Sequence, residues 1–172
     1  TLMSSLTKFV LGMMGQLRPR PAAGATTSIL LPPPEKQGGL PLMDALAIRH
    51  SSRDFATDPL PLQLLSNHLW AAYGINRNDG GRTAPSALNA QEIDVFLALP
   101  DGAYRYDAIA NELQFLATSD LRRITGYQDF VDDAPLDLIY VADYTRMNLV
   151  PVGQRESYAS VAAGAITQNV YL

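Results

Sequence analysis

Residues 93–116 read IDVFLALPDGAYRYDAIANELQFL, and three strands can be taken from them. IDVFLAL (93–99) is a short, nearly unbroken apolar run, the pattern of a buried strand. AYRYD (103–107) and ELQFL (112–116), joined by AIAN, read as the two arms of a hairpin. Helical signals surround this stretch. Residues 42–49 form an apolar helical run, and Asp58-Pro59-Leu60-Pro61 introduces LQLLSNHLWAAYG, with Leu62, Leu65, Leu69 and Ala72 at helical spacing and Gly74 as a stop. Downstream, SDLRRIT and YQDFVDDA read as short helices with serine and aspartate near their starts. LDLIYVADY is a second continuous apolar strand, and RESYASVAAGAITQNVYL is a helix inside which the chain stops, a pattern that reads as truncated. Strands and helices without regular βαβ alternation predict an α+β layered fold.

Composition bounds the function. At 172 residues the chain suits one domain with a proper core, and 47% apolar and 17% charged residues are ordinary for a globular protein. No run of 18 apolar residues predicts a membrane span. A formal charge of −4 gives no footing for nucleic acid. The charge is unevenly placed, however. Residues 1–53 carry six basic side chains (Lys8, Arg18, Arg20, Lys36, Arg49, Arg53) against two acidic ones (Glu35, Asp44), so a large anion would favour this third. The absence of cysteine excludes disulfides, thiolate metal sites and cysteine nucleophiles, and leaves the compartment open, with cytoplasmic set ahead of periplasmic. With only His50 and His68 and no HExxH pattern, no metal site is expected.

Two regions are delimited. Residues 1–41 form an N-terminal arm and leader, in which Pro19, Pro21, Pro32, Pro33, Pro34 and Pro41 impose an extended path over a surface. KFVLGMMGQL followed by AGA at 23–25 has the look of a signal remnant within residues 1–25. Arg18 and Arg20 between the two argue instead for an amphipathic arm. Residues 42–172 form the remaining domain, and no internal repeat is visible.

Two clusters carry chemistry. RHSSR (49–53) gathers two guanidinium groups, an imidazole and two hydroxyls, a set that can grip phosphate by paired hydrogen bonds. PSALNAQ (85–91) offers a proline-serine helix start with amide groups at Asn89 and Gln91. Taken singly, each reads as a solvated turn or a capped short helix. His68, Trp70 and Tyr73 read as packing residues. No Ser-His-Asp order, G-x-S-x-G or P-loop pattern can be assembled.

Taken together the clusters say more. R-H-S-x-R, then P-S-x-x-N-x-Q some thirty residues on, then an apolar strand, resembles the FMN-dependent nitroreductase family. LPPPEKQGGLPLMDAL, LLSNHLWAAYGINR, GRTAPSALNAQEIDVFLA, DGAYRYD and AGAITQNVYL are similar, in this order, to segments of one branch of it. The resemblance implies a nitroreductase-like α+β fold, a central mostly antiparallel sheet flanked by helices, and a homodimer with FMN in two interface sites. Arg49, His50 and Ser51 match the segment that meets the FMN phosphate and ribityl chain, and Arg53 a basic position near the pyrimidine edge of the ring. Pro85, Ser86 and Ala87 match the segment supplied by the partner subunit, with Asn89 and Gln91 around it. No catalytic side chain is implied, because the flavin N5 carries the chemistry. Hydride would pass from NAD(P)H through FMN to a nitroaromatic, quinone or similar small acceptor in a ping-pong sequence. Two alternatives are an azoline-oxidising dehydrogenase acting on modified peptides and a non-catalytic flavin-binding relic. The family continues past QNVYL with a glycine loop over the flavin and further basic residues, so the domain is expected to be incomplete at its C-terminus.

Overall fold

The computed structural model describes residues 5–22, 27–56 and 58–172. Among them lie five α-helices, α1 (Ser5–Met13), α2 (Leu42–Ile48), α3 (Leu62–Tyr73), α4 (Arg122–Thr125) and α5 (Arg155–Tyr171). The same residues hold seven strands, β1 (Arg20–Pro21), β2 (Ile29–Leu30), β3 (Ile93–Leu99), β4 (Gly102–Asp107), β5 (Glu112–Ala117), β6 (Ser119–Asp120) and β7 (Asp137–Ala142). A five-stranded sheet runs β2-β5-β4-β3-β7 with every neighbouring pair antiparallel, and β1 pairs with β6 in a separate ladder. The mixed α+β architecture is the predicted one.

Residues 93–116 form the middle of the sheet. Leu97 lies opposite Tyr104, and Tyr106 opposite Leu113. Alternation along a strand puts Ile93, Val95, Leu97 and Leu99 on one face. There they meet Leu65, Leu69 and Ala72 of α3 and Ala159, Ala162 and Ile166 of α5 in one core. Leu69 and Ile166 are wholly buried, each contributing about 1.5–3 kcal/mol by leaving water. The alanines of α5 let it lie close to α3, and Asn169 Nδ2 donates to the Ala71 carbonyl at 3.0 Å across the pair.

Some elements differ from their sequence reading. Gly74 does end α3, but at φ −71°, outside the left-handed region. Its lack of a side chain serves Trp70 instead: a Cβ there would stand 2.3 Å from Trp70 Cδ1. The strand in LDLIYVADY is an edge strand, half-buried along most of its length. The short helix read in SDLRRIT is α4, with Asp120 Oδ1 accepting from the Arg122 N–H at 3.1 Å, but Ser119 and Asp120 also pair with Pro21 and Arg20.

The leader runs extended. Ile29 and Leu30 pair with β5, and the carbonyls of Pro32 and Pro33 accept from Ser66 Oγ (2.5 Å) and Gln63 Nε2 (3.0 Å) of α3. Helix α1 docks polar side inward. Lys8 is buried, donates to the Gln128 carbonyl at 2.7 Å and is ion-paired with Asp132, while Leu6, Phe9, Val10 and Met13 face outward. The AGA at 23–25 lies outside the described residues. Among the described residues no helix is long and apolar enough to cross a membrane.

Candidate functional site

RHSSR follows directly on α2, where the Arg49 N–H closes the helix on the Ala45 carbonyl at 3.0 Å and the backbone leaves at ψ 121°. This is the carbonyl end of the helix, so nearby cations complement its dipole, and anion binding there has to come from side chains. The segment is exposed throughout. His50 Nδ1 donates to the Ile48 carbonyl at 2.9 Å, and Ser52 turns toward the Asp54 backbone. Arg49 lies over the Tyr171 ring at 5.9 Å and Arg53 over the Phe130 ring at 5.5 Å. Among the described residues neither guanidinium has a carboxylate partner. Beside them α2 leaves Leu42, Met43, Leu46 and Ile48 uncovered.

PSALNAQ forms only a short helical turn after its Pro-Ser start. It makes a single 3₁₀ turn (Ala87–Asn89), with Leu88 and Asn89 both at φ 53°. A left-handed Leu costs about 1–2 kcal/mol, and Leu88 is also 67% exposed. What holds the turn is a set of bonds invisible in the local sequence. Ser86 Oγ accepts from the Gln91 N–H at 2.9 Å, closing the segment on itself. The Gln91 side chain accepts from Arg82 Nε (3.0 Å) and donates to the Gly80 carbonyl (3.0 Å) and Asn89 Oδ1 (3.1 Å). Its backbone carbonyl accepts from Arg146 Nη1 at 2.8 Å.

Arg82 and Arg146 are the residues that sequence reading missed. Arg82 also donates to the Tyr73 carbonyl (2.9 Å) and lies over the Tyr73 ring at 4.7 Å. Arg146 is paired with Asp94 and with Asp143 (3.1 Å), so it links β3 to the turn after β7. Burial pushes the Tyr73 hydroxyl up to about 12, against the pull of Arg82. Burial also lowers His68, which sits half-buried on α3.

A large cavity of about 940 Å³ opens beside Arg53, walled by Phe55, Phe130, Leu60, Leu65 and Leu99. Of the sequence-predicted residues only Arg53 lines it. The described contacts do not join the two predicted segments within one chain. Arg49 and Arg53 reach Tyr171 and Phe130, whereas Ser86, Asn89 and Gln91 bond among themselves and to the 80–82 loop.

The nitroreductase family profile matches residues 46–172. A protein of Methanocaldococcus jannaschii bearing a nitroreductase name is 32% identical over 159 residues, 87% of this chain and 79% of its own. A protein of Ralstonia eutropha JMP134, whose crystal structure carries a nitroreductase designation, is 50% identical at a TM-score of 0.84, over 90% of this chain and 75% of that one. A chain of the Escherichia coli microcin synthetase McbBCD complex shares the fold alone, with 15% identity and a TM-score of 0.55 over 99% of this chain and 68% of that one. The chain therefore belongs to the nitroreductase family, the flavin-dependent oxidoreductases that its ordered motifs resemble.

Proposed function

We propose that this protein is an FMN-dependent NAD(P)H oxidoreductase working as a homodimer, with each FMN at the seam between two copies. The observation that carries the reading is the free cationic segment. Arg49 and Arg53 are exposed, without carboxylate partners among the described residues, and set beside the uncovered apolar side chains of α2. Two unpaired guanidinium groups and neighbouring hydroxyls suit a phosphate dianion. An apolar helix open to solvent suits burial against a second chain. The separation of RHSSR from PSALNAQ within one chain also agrees with a site completed in trans.

In this reading Arg49, His50 and Ser51 hold the phosphate and ribityl chain. Arg53, steadied by its stacking on Phe130, lies at the pyrimidine edge, where a cation stabilises negative charge gained on reduction. Pro85, Ser86 and Ala87 of the second copy close over the ring. Among the described residues nothing accepts from the Asn89 amide, which is open to a polar contact, while Gln91 has its amide hydrogens committed to Gly80 and Asn89. FMN, when bound, supplies the redox chemistry, accepting hydride from NAD(P)H and passing it to a nitroaromatic, quinone or similar acceptor. The protein's part is to bind, orient and tune.

The test is an absorbance spectrum of the purified protein, followed anaerobically during addition of NADPH or NADH. A flavin band that bleaches, and parallel double-reciprocal lines in steady state, are expected. Protein that stays colourless after incubation with FMN overturns the proposal. A flavin band that neither nucleotide bleaches points instead to oxidation of a peptide azoline.

A further inference from the structure

Helix α1 carries large apolar residues at 6, 9, 10 and 13, with Met14 in the turn that follows. That spacing makes one stripe down a helix, and on a surface helix such a stripe normally faces the core. Here it faces solvent. Leu6 is 73% exposed and Met13 60%, with Phe9, Val10 and Met14 exposed beside them. Tyr127, itself exposed, widens the stripe by meeting Phe9 edge-on at 6.2 Å between centroids.

The other side of the helix explains the orientation. Ser5 Oγ donates to Asp129, and Lys8 is buried against the Gln128 carbonyl and Asp132. Gly12 lies on the Tyr127 ring with no room for a Cβ. Residues three and four apart share a helix face, so contacts at 5, 8 and 12 fix which way α1 points. Polar groups anchor the helix, and its apolar side is left as a presented surface. A contiguous exposed apolar patch marks an interaction site.

Two observations say what covers it. The first is charge. Residues 1–34 hold Lys8, Arg18 and Arg20 and no Asp or Glu. Lys8 and Arg20 are both engaged by Asp132. Arg18 is exposed and, among the described residues, has no carboxylate partner. The second is size. A helix of this length spans about 14 Å, so its stripe offers roughly a few hundred Å², short of the about 800 Å² per partner of a standard protein interface. The seam proposed above draws on α2 and residues 85–87 and does not need this face. A lipid surface sets no such threshold. It moulds to a short helix, and its affinity adds apolar burial to the attraction of basic side chains for anionic headgroups.

We propose that α1 is a membrane-surface contact. Leu6, Phe9, Val10 and Met13 sink into the headgroup region of an anionic bilayer, Ser5 and Lys8 keep the helix on the protein, and Arg18 meets lipid phosphate. The helix lies along the surface and does not cross it. This contact is independent of the flavin reading.

The test is flotation of the purified full chain with two kinds of vesicle, phosphatidylcholine alone and phosphatidylcholine mixed with phosphatidylglycerol. Binding should favour the anionic vesicles by about fivefold or more, and the preference should shrink as salt is raised. Arg18→Ala should remove most of that preference. Leu6→Glu combined with Met13→Glu, both at exposed positions, should weaken binding to the anionic vesicles by about tenfold or more. Arg18→Ala lies outside the helix and keeps the test decisive if the two glutamates melt α1. Protein that floats with neither vesicle, equal flotation with both, or binding that survives both variants overturns the proposal. So does a parent that floats with neither but self-associates until the glutamates are introduced, since the stripe then belongs to a second copy. FMN uptake and bleaching by NAD(P)H are read on the same samples. A chain that floats as expected but takes up no flavin sinks the flavin reading alone.

Discussion

Gln91 separates a structural role from direct contact with a cofactor. Gln91→Leu keeps the volume and removes three side-chain hydrogen bonds: from Arg82 Nε at 3.0 Å, to the Gly80 carbonyl at 3.0 Å and to Asn89 Oδ1 at 3.1 Å. The first is charge-assisted and contributes about 1.5–3 kcal/mol, and the other two about 0.5–1.5 kcal/mol each. The side chain is only half-buried, so water recovers part of this, and a loss of about 2–3 kcal/mol is expected. At roughly 2–4 °C per kcal/mol for a chain of this size, Tm should fall by roughly 5–10 °C. The assay is calorimetric melting of the flavin-free protein, beside an FMN titration followed by fluorescence quenching. Gln91→Glu, which keeps an acceptor for Arg82 but loses both donors, should fall between the two. A flavin-free Tm within about 2 °C of the parent, together with weakened FMN binding, would refute the reasoning and make Gln91 a direct cofactor contact.

Arg49→Ala should weaken FMN binding by about 1.5–3 kcal/mol, roughly ten- to a hundredfold in Kd, and unchanged affinity would mean the phosphate is held elsewhere. Asp120→Asn, which breaks the buried pair with Arg122, should cost about 3 kcal/mol at pH 7 by urea denaturation. Burial raises the Asp120 carboxyl, but the hydrogen bonds from Arg122 outweigh this and hold it below the usual range. Its contribution is thus complete above the ordinary carboxylate pKa and fades as pH falls through the lowered value, so parent and variant should converge in acid. A gap as wide at pH 3 as at pH 7 would contradict that assignment. Ile48→Glu, on the uncovered face of α2, should yield monomers by analytical ultracentrifugation; an intact dimer would place the seam on another surface.

Much of the sheet was legible because its signal is local. The apolar run at 93–99 and the hairpin of β4 and β5 depend on residues adjacent in sequence, α3 announces itself by spacing, and α5 by its richness in alanine and glycine. What stayed hidden depends on distant partners. Lys8 looks like a charge ahead of an apolar run, yet it is buried because Asp132, 124 residues away, waits for it. Ser119 and Asp120 precede a short helix as read, but their pairing with β1 could not be seen. The apolar run at 136–144 does not say whether its strand is central or at an edge, since that is set by what lies beside it. The candidate site divides in the same way. RHSSR shows its chemistry in its own letters, whereas the clamp of Arg82 and Arg146 on Gln91 joins loop, turn and strand. The cavity beside Arg53 is assembled from six stretches of chain, and none of them is unusual alone.

The two margins of the sheet are unlike. On one, β2 contributes only two paired residues before Pro32, Pro33 and Pro34, which have no N–H to offer a newcomer. On the other, β7 offers six residues bonded to β3 on one side only, with Val141 46% exposed. Growth of the sheet is therefore directional: among the described residues, an incoming strand finds its free hydrogen-bond partners along β7.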